Sequence, residues 1–183
     1  MAKHFHVPLQ SGSDRVLRLM RRPYTADFYG RLVEKMRRSV PDAAIGADVM
    51  VGFPTETAAD HAATMALLEI APMTYLHVFP YSSRPGTAAA SMQPPVQSEV
   101  ASERSLQLRD LAGRKNQKFK ESFVGSQMEV VTLGWKSEEG ITEALSSNYL
   151  KVMLKATDIQ SNEWIPASIT GVTSEGLLAQ IPS

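Results

Sequence analysis

The chain has 183 residues, 43% of them hydrophobic and 21% charged, an ordinary balance for a globular protein with one core or two small ones, and not one that predicts disorder. Its 19 Lys+Arg against 19 Asp+Glu give a formal net charge of zero, so any nucleic-acid binding has to come from a local patch rather than from a whole-molecule field. It contains no cysteine, which excludes disulfides, thiolate zinc sites, cysteine nucleophiles and iron–sulfur clusters held by its own thiolates.

The first residues lack the basic segment and apolar core of a signal peptide, and no run approaches the ~20 apolar residues that cross a bilayer. A cytoplasmic location without a membrane partner is the expectation.

His4–Leu9 reads as a strand, and Ser13 as the N-cap of a helix carrying Val16, Leu17 and Met20 on one face, stopped by Arg21-Arg22-Pro23. Thr25 caps a second helix to about Ser39, with Phe28, Leu32, Val33, Met36 and Val40 at helical spacing. Ala43–Phe53 is a near-continuous apolar run broken by Asp48, the pattern of a strand buried on both faces. Thr55 or Thr57 opens a helix to about Ile70 with Ala58, Ala62, Met65 and Leu68 on one stripe, and Tyr75–Pro80 is a further strand. This alternation predicts parallel βα units.

Tyr81–Gln97 is rich in Ser, Pro, Gly and Ala and reads as a loop. A long polar helix follows, from about Glu99 to Phe123, with a basic second half from Arg114 to Lys120. After Gly125 come short alternating runs, Met128–Leu133, Tyr149–Leu154, Trp164–Thr170 and Leu177–Ile181, with turns at Gly134, Gly140, 146–148, Gly171 and 175–176. Four to five strands here predict a small antiparallel barrel, and the change of texture divides the chain into 1–124 and 125–183.

Ligands of parallel βα folds meet the C-terminal ends of the strands. One such end is Gln10-Ser11-Gly12-Ser13, an amide, two hydroxyls and a glycine at a helix start. It suits a ribose, carboxylate or phosphate, and it is equally an ordinary capping turn. A second end holds Asp48, Val51, Gly52 and Phe53, where an inward carboxylate needs a partner. His4 and His6 alternate on one strand and so face one side as a metal pair would; without a third ligand, packing roles are favoured, and His61 and His77 have no partner identifiable by spacing. The basic helix half, with Lys115 and Lys118, and a barrel displaying Trp135, Lys136, Tyr149, Lys151 and Lys155 together supply the phosphate-binding and stacking groups that RNA requires.

Four segments carry a resemblance over nearly the whole chain: HFHVPLQSGSDRVLRLMRRPYT (4–25), IGADVMVGFPTET (45–57), YLHVFPYSSRPGTAAA (75–90) and NYLKV (148–152). Together they resemble the radical SAM methylthiotransferases, and HVFPYSSRPGTAA with NYLKV is most similar to the branch acting on N6-threonylcarbamoyladenosine. The resemblance implies an α/β fold in which a partial (half) βα radical SAM barrel is followed by a small antiparallel β-barrel, the RNA-binding TRAM domain. It implies addition of a methylthio group at C2 of the adenosine at position 37 of tRNA, with SAM and [4Fe–4S] clusters as cofactors and a SAM-derived deoxyadenosyl radical.

On this sequence the resemblance places SAM contacts at Gln10, Ser11, Gly12, Ser13, Asp48, Val51, Gly52 and Phe53, and RNA contacts at Asn148, Tyr149 and Lys151, beside Lys115 and Lys118. It assigns no catalytic residue and no metal ligand. The family commonly has Gly-Glu after Phe-Pro, where this chain has Thr55-Glu56, and an aromatic residue at the position of His61. The family's cluster cysteines are missing, so the chain is expected to be part of a longer enzyme, inactive without an N-terminal cluster domain. Its expected partners are that domain and the tRNA anticodon stem-loop, and the open strand edge at His4–Leu9 predicts self-association. A methylthiotransferase acting on a ribosomal protein aspartate and a stand-alone RNA-binding module are the alternatives.

Overall fold

The computed structural model describes residues 2–136, 140–156 and 159–182, with the side chains of Trp135 and Lys136 outside the described set. The chain forms two compact units, Phe5–Lys115 and Asn116–Ser183 together with Met1–His4.

In the first unit, strands β1 (His4–His6), β2 (Ala44–Val51) and β3 (Tyr75–Pro80) form a sheet in the order β1-β2-β3. β2 and β3 run parallel, with Gly46 opposite Tyr75 and Asp48 opposite His77. β1 is shorter than the sequence suggests, yet its pairing continues through Val7 N–H to Gly46 O at 2.9 Å and a parallel bridge between Gln10 and Val49. Pro8, which has no N–H to give, interrupts the ladder there.

Helices α1 (Asp14–Leu19), α2 (Ala26–Ser39) and α3 (Ala58–Ile70) each start where a hydroxyl satisfies a free N–H: Ser13 accepts from Val16, Thr25 from Phe28, and Thr57 from Asp60 in a reciprocal capping box. Ile45, Ala47, Val49 and Val51 point from β2 into a core with Leu9, Tyr29, Val33, Leu68, Leu108 and Leu111. The Tyr29 hydroxyl leaves that core by donating to Val7 O at 2.6 Å, and burial pushes its pKa up.

The structure corrects several sequence expectations. β2 is buried on both faces only as far as Ala47; beyond it, Asp48 and Met50 on one face are half-exposed while Val49 and Val51 on the other stay buried. Phe28 is 54% exposed although it falls on the apolar period of α2. The buried face of α3 consists of Asp60, His61, Thr64 and Leu68; a largely polar face escaped a search for hydrophobic periodicity. Between β3 and α4 (Ser98–Glu121) the chain is irregular apart from a short 3-10 turn at Ala88–Ser91.

The second unit is a closed barrel of β4 (Gln127–Lys136), β5 (Ile141–Ser146), β6 (Lys151–Lys155), β7 (Trp164–Val172) and β8 (Leu177–Gln180) in the order β4-β5-β6-β8-β7. All its pairings are antiparallel except β6 with β8. Val130, Ala144, Val152, Leu154, Ala167, Ile169, Leu177 and Ala179 fill it, with Phe119 and Phe123 packed against them. β5 has no alternating apolar signature in the sequence, since Thr142, Ala144 and Ser146 are its inward residues and none is strongly apolar. Gly134 and Gly171 lie inside strands, each within a register irregularity, rather than in turns.

Candidate functional site

Loop 10–13 is built by tight packing against α3. A Cβ on Gly12 would stand 2.6 Å from Thr64 Cα, so only glycine fits, and Gly12 N–H donates to Thr64 Oγ1 at 2.9 Å. Ser11 Oγ lies 3.3 Å from the same hydroxyl, and Ser13 Oγ donates to Asp60 Oδ1 at 2.6 Å. The polar groups of Ser11, Gly12 and Ser13 are thus engaged in joining α1 to α3, which favours the capping-turn reading of these three residues. Gln10 differs: it is held at φ 70° and faces a cleft of about 350 Å³ with Met20, Arg22, Met50, Phe53 and Ala89.

That cleft lies outside the C-terminal ends of β1 and β2, where open parallel sheets bind ligands, and its volume is within the range of small-molecule sites. Beside it, Phe53 meets Tyr81 edge-on at 5.5 Å, and the Tyr81 hydroxyl is buried without a hydrogen-bond partner among the described residues. Of the second group of candidates, only Phe53 lines the cleft. Val51 points into the core. Gly52, at φ 72°, donates its N–H to Glu56 Oε2 at 3.1 Å, and a Cβ on it would stand 2.8 Å from Ala101 Cβ. Thr55 occupies φ 68°, a conformation that suits glycine and strains a β-branched residue.

Asp48 sits on the half-exposed face of β2. Its Oδ1 is 3.1 Å from His6 Nε2 and 3.5 Å from His77 Nδ1. His4 and His6 do not form a pair, for the His4 ring packs on Tyr149 at 4.9 Å. Sequence spacing missed the grouping of His6, Asp48 and His77 because it depends on register: Asp48 and His77 are opposite each other on parallel strands 29 positions apart. His61 is bonded to Gln107 Oε1 at 2.8 Å.

In the barrel unit Tyr149 is 58% exposed at φ 63°, in the turn between β5 and β6, and Trp164 is 62% exposed. From the sequence Trp164 reads only as a strand residue, since nothing in an alternating pattern tells an outward tryptophan from an inward one. Asn148 is buried and accepts from Ser146 Oγ at 2.5 Å, so it shapes the turn. The Lys151 ammonium pairs with Glu143 and lies 3.9 Å from Glu175; the bond to Glu143 raises its pKa. An outward cleft of about 350 Å³ lies over Ile141, Met153, Lys155, Leu178 and Gln180. It includes residues of β5 and β6, the second and third strands of the barrel, and in five-stranded barrels that bind oligonucleotides these strands carry the ligand.

On α4, Lys118 is exposed. Lys115 instead donates to Glu69 O and Ala71 O at 2.9 Å each, satisfying carbonyls at the end of α3. Lys120, in the same basic run, is buried and donates to Thr173 O at 2.9 Å.

Comparison with known proteins gives the chain a family. Residues 2–68, which include every protein group named for the Gln10 cleft except Ala89, match the Radical SAM superfamily. The chain is 49% identical over 126 residues to the tRNA-2-methylthio-N(6)-dimethylallyladenosine synthase of Thermobifida fusca, covering 69% of this chain and 26% of that protein. It is 38% identical over 152 residues to the threonylcarbamoyladenosine tRNA methylthiotransferase MtaB of Aquifex aeolicus, covering 83% of this chain and 36% of that protein. With the dimethylallyladenosine synthase of Pseudothermotoga lettingae it shares 34% identity over 181 residues, 98% of this chain and 41% of that protein. The chain therefore spans well under half the length of these curated relatives. Through its half-barrel sheet, its five-stranded barrel and these likenesses, the chain belongs to the radical SAM methylthiotransferase family.

Proposed function

We propose that the chain supplies the SAM-facing strands and the RNA-holding barrel of a tRNA methylthiotransferase, and that the tRNA nucleoside it serves is N6-threonylcarbamoyladenosine at position 37. The observation that carries the tRNA role is that likeness to tRNA-modifying relatives extends over 98% of the chain and so through both units. A barrel that merely happened to follow an unrelated sheet would not share it. The threonylcarbamoyl nucleoside is supported by the likeness to two threonylcarbamoyladenosine tRNA methylthiotransferases over 83% and 86% of the chain.

SAM fits the cleft bordered by Gln10 and Phe53, and when bound it supplies the methyl group and the radical chemistry needed at an unactivated carbon. The Gln10 amide is a hydrogen-bonding group, while Phe53 and Met50 offer apolar surface to an adenine. Iron–sulfur clusters do not fit: with no cysteine in the sequence, none is held by thiolates of this chain. The isolated chain therefore binds without turning over. On the barrel, Tyr149 and Trp164 offer rings for stacking and Lys155 a cation to phosphates, and Lys118 on α4 offers another.

A second reading, N6-dimethylallyladenosine, is favoured by the 49% identity to the Thermobifida fusca synthase. Binding of the chain to anticodon stem-loops bearing either N6 substituent or none, with an aspartate-bearing ribosomal protein segment as a further arm, separates the readings. The proposal expects salt-dependent binding that is tightest for the threonylcarbamoyl stem-loop, together with SAM binding by calorimetry. Tighter binding of the dimethylallyl form moves the substrate to the second reading; preference for the protein segment, or no RNA binding, overturns the tRNA role.

A further inference from the structure

We propose that His6, Asp48 and His77 form a three-ligand site for a divalent transition cation of the zinc class. The three residues come from three neighbouring strands of one sheet, on the face turned away from the helical core. Their donor atoms all lie within 4.8 Å of one another.

The spacing suits a metal. Four donors at zinc–nitrogen and zinc–oxygen bond lengths of about 2.0–2.1 Å form a tetrahedron with edges of about 3.3–3.4 Å. The separations of Asp48 Oδ1 from His6 Nε2, 3.1 Å, and from His77 Nδ1, 3.5 Å, bracket that edge, and the two histidine donors, within 4.8 Å of each other, reach it by rotation of the exposed His77 ring towards the ion. Two neutral imidazoles and one carboxylate carry a single negative charge, opposite in sign to the ion. Imidazole donors select zinc, cobalt or nickel over magnesium and calcium, which prefer all-oxygen shells.

The surroundings orient the ligands as metal sites require. The Tyr75 hydroxyl is 3.3 Å from His6 Nδ1, so the ring is bonded at one nitrogen while the other faces Asp48. Gly46 makes this arrangement possible: a Cβ there would fall 1.8 Å from Tyr75 Cζ, so the tyrosine ring lies across a position that only glycine leaves open. The Asp48 carboxylate has no arginine or lysine in its described ion pairs, only the two histidines. His77 and His6 keep 65% and 34% of their side-chain surface in solvent, which leaves room for water or an exogenous donor to complete the shell. The site uses no residue of the Gln10 cleft or of the barrel, so it stands or falls separately from the tRNA reading.

The test uses the untagged full chain, stripped with chelator and titrated with Co²⁺ by visible absorption and with Zn²⁺ by competition. One equivalent of Co²⁺ should bind with the intense bands of a four-coordinate ion, and Zn²⁺ should displace it. Replacing His77→Gln or Asp48→Asn should each weaken binding at least tenfold, and Tyr75→Phe by roughly 10–100-fold, the usual effect of a lost second-layer partner, while His61→Gln leaves it unchanged. His77 is exposed enough that its variant tests the site without endangering the fold, and thermal midpoints without metal provide the check for Asp48→Asn. Absence of Co²⁺ bands at millimolar ion, or equal affinity in wild type, His77→Gln and Asp48→Asn, overturns the site and leaves a hydrogen-bonded cluster only.

Discussion

Ser13 and Asp60, 47 positions apart, are joined by a 2.6 Å hydrogen bond between hydroxyl and carboxylate. The same carboxylate accepts from Arg15 Nε at 3.2 Å and from Thr57 N–H and Oγ1 at 2.8 and 2.6 Å. One acid therefore caps α3, braces the N-cap of α1 and holds an arginine.

Burial alone would raise the Asp60 pKa, but the bonds from Arg15, Ser13 and Thr57 outweigh it and hold the carboxyl well below the usual carboxylate range. The stability this confers is fully present above the unfolded value of about 3.9 and is lost as pH falls from there towards the depressed folded value. Asp60→Asn should cost about 2–3 kcal/mol at neutral pH, the scale of hydrogen bonds to a charged group. The gap from wild type in urea midpoints should narrow below pH ~4. A gap that stays constant through that range contradicts the assignment.

Arg104 and Glu56 form a buried ion pair at 2.6 Å, with side chains 10% and 5% exposed, and Glu56 also receives the Gly52 N–H. Arg104→Ala leaves a buried carboxylate without its partner and should destabilise by about 3–5 kcal/mol. Arg104→Met with Glu56→Gln should cost less than the sum of the two single changes, because neither leaves the other charge stranded. A double-mutant cycle in chemical denaturation measures that coupling.

Thr55→Gly should stabilise the protein. The left-handed backbone at this position costs a non-glycine residue of order 1–2 kcal/mol, against which stands the long 3.3 Å bond from Arg15 to the threonine hydroxyl. Arg15 also donates to Thr55 O, a bond that survives the change. We expect a net gain of about 1 kcal/mol, or roughly 2–4 °C in thermal midpoint; a lower midpoint would show that the hydroxyl contributes more than the strain costs.

Under the RNA-binding proposal, Tyr149→Asn removes the ring while keeping a residue that tolerates positive φ. It should weaken stem-loop binding by about 1–3 kcal/mol, the range for one stacked base, without altering the salt slope. Lys118→Ala should reduce that slope by about one instead. Lys151→Gln should matter less than either, because the Lys151 ammonium is already paired with Glu143. Filter binding across a salt series reads all three.

The helices were legible because their caps are local: Ser13, Thr25 and Thr57 announce α1, α2 and α3 within three residues of each start. The apolar strands β2 and β3 were legible from composition. Polar elements were not, as β5 and the buried face of α3 show, because their burial is compensated by bonds such as Thr142 Oγ1 to Ala156 O and Thr64 Oγ1 to Asp60 O. Within the candidate sites, Gln10 and Phe53 line a cleft. Ser11, Ser13, Lys115 and Asn148 are polar residues in the right segments whose bonds are made inside the protein, a distinction that residue type cannot convey.

The order β4-β5-β6-β8-β7 has a consequence for synthesis. β8 is the last of the five barrel strands to be made, yet it lies between β6 and β7 and pairs with both. Until Leu177–Gln180 emerges, the nascent barrel is a ribbon whose β6 and β7 each present an unpaired ladder, open to the wrong strand. Synthesis of this four-residue segment closes both ladders at once.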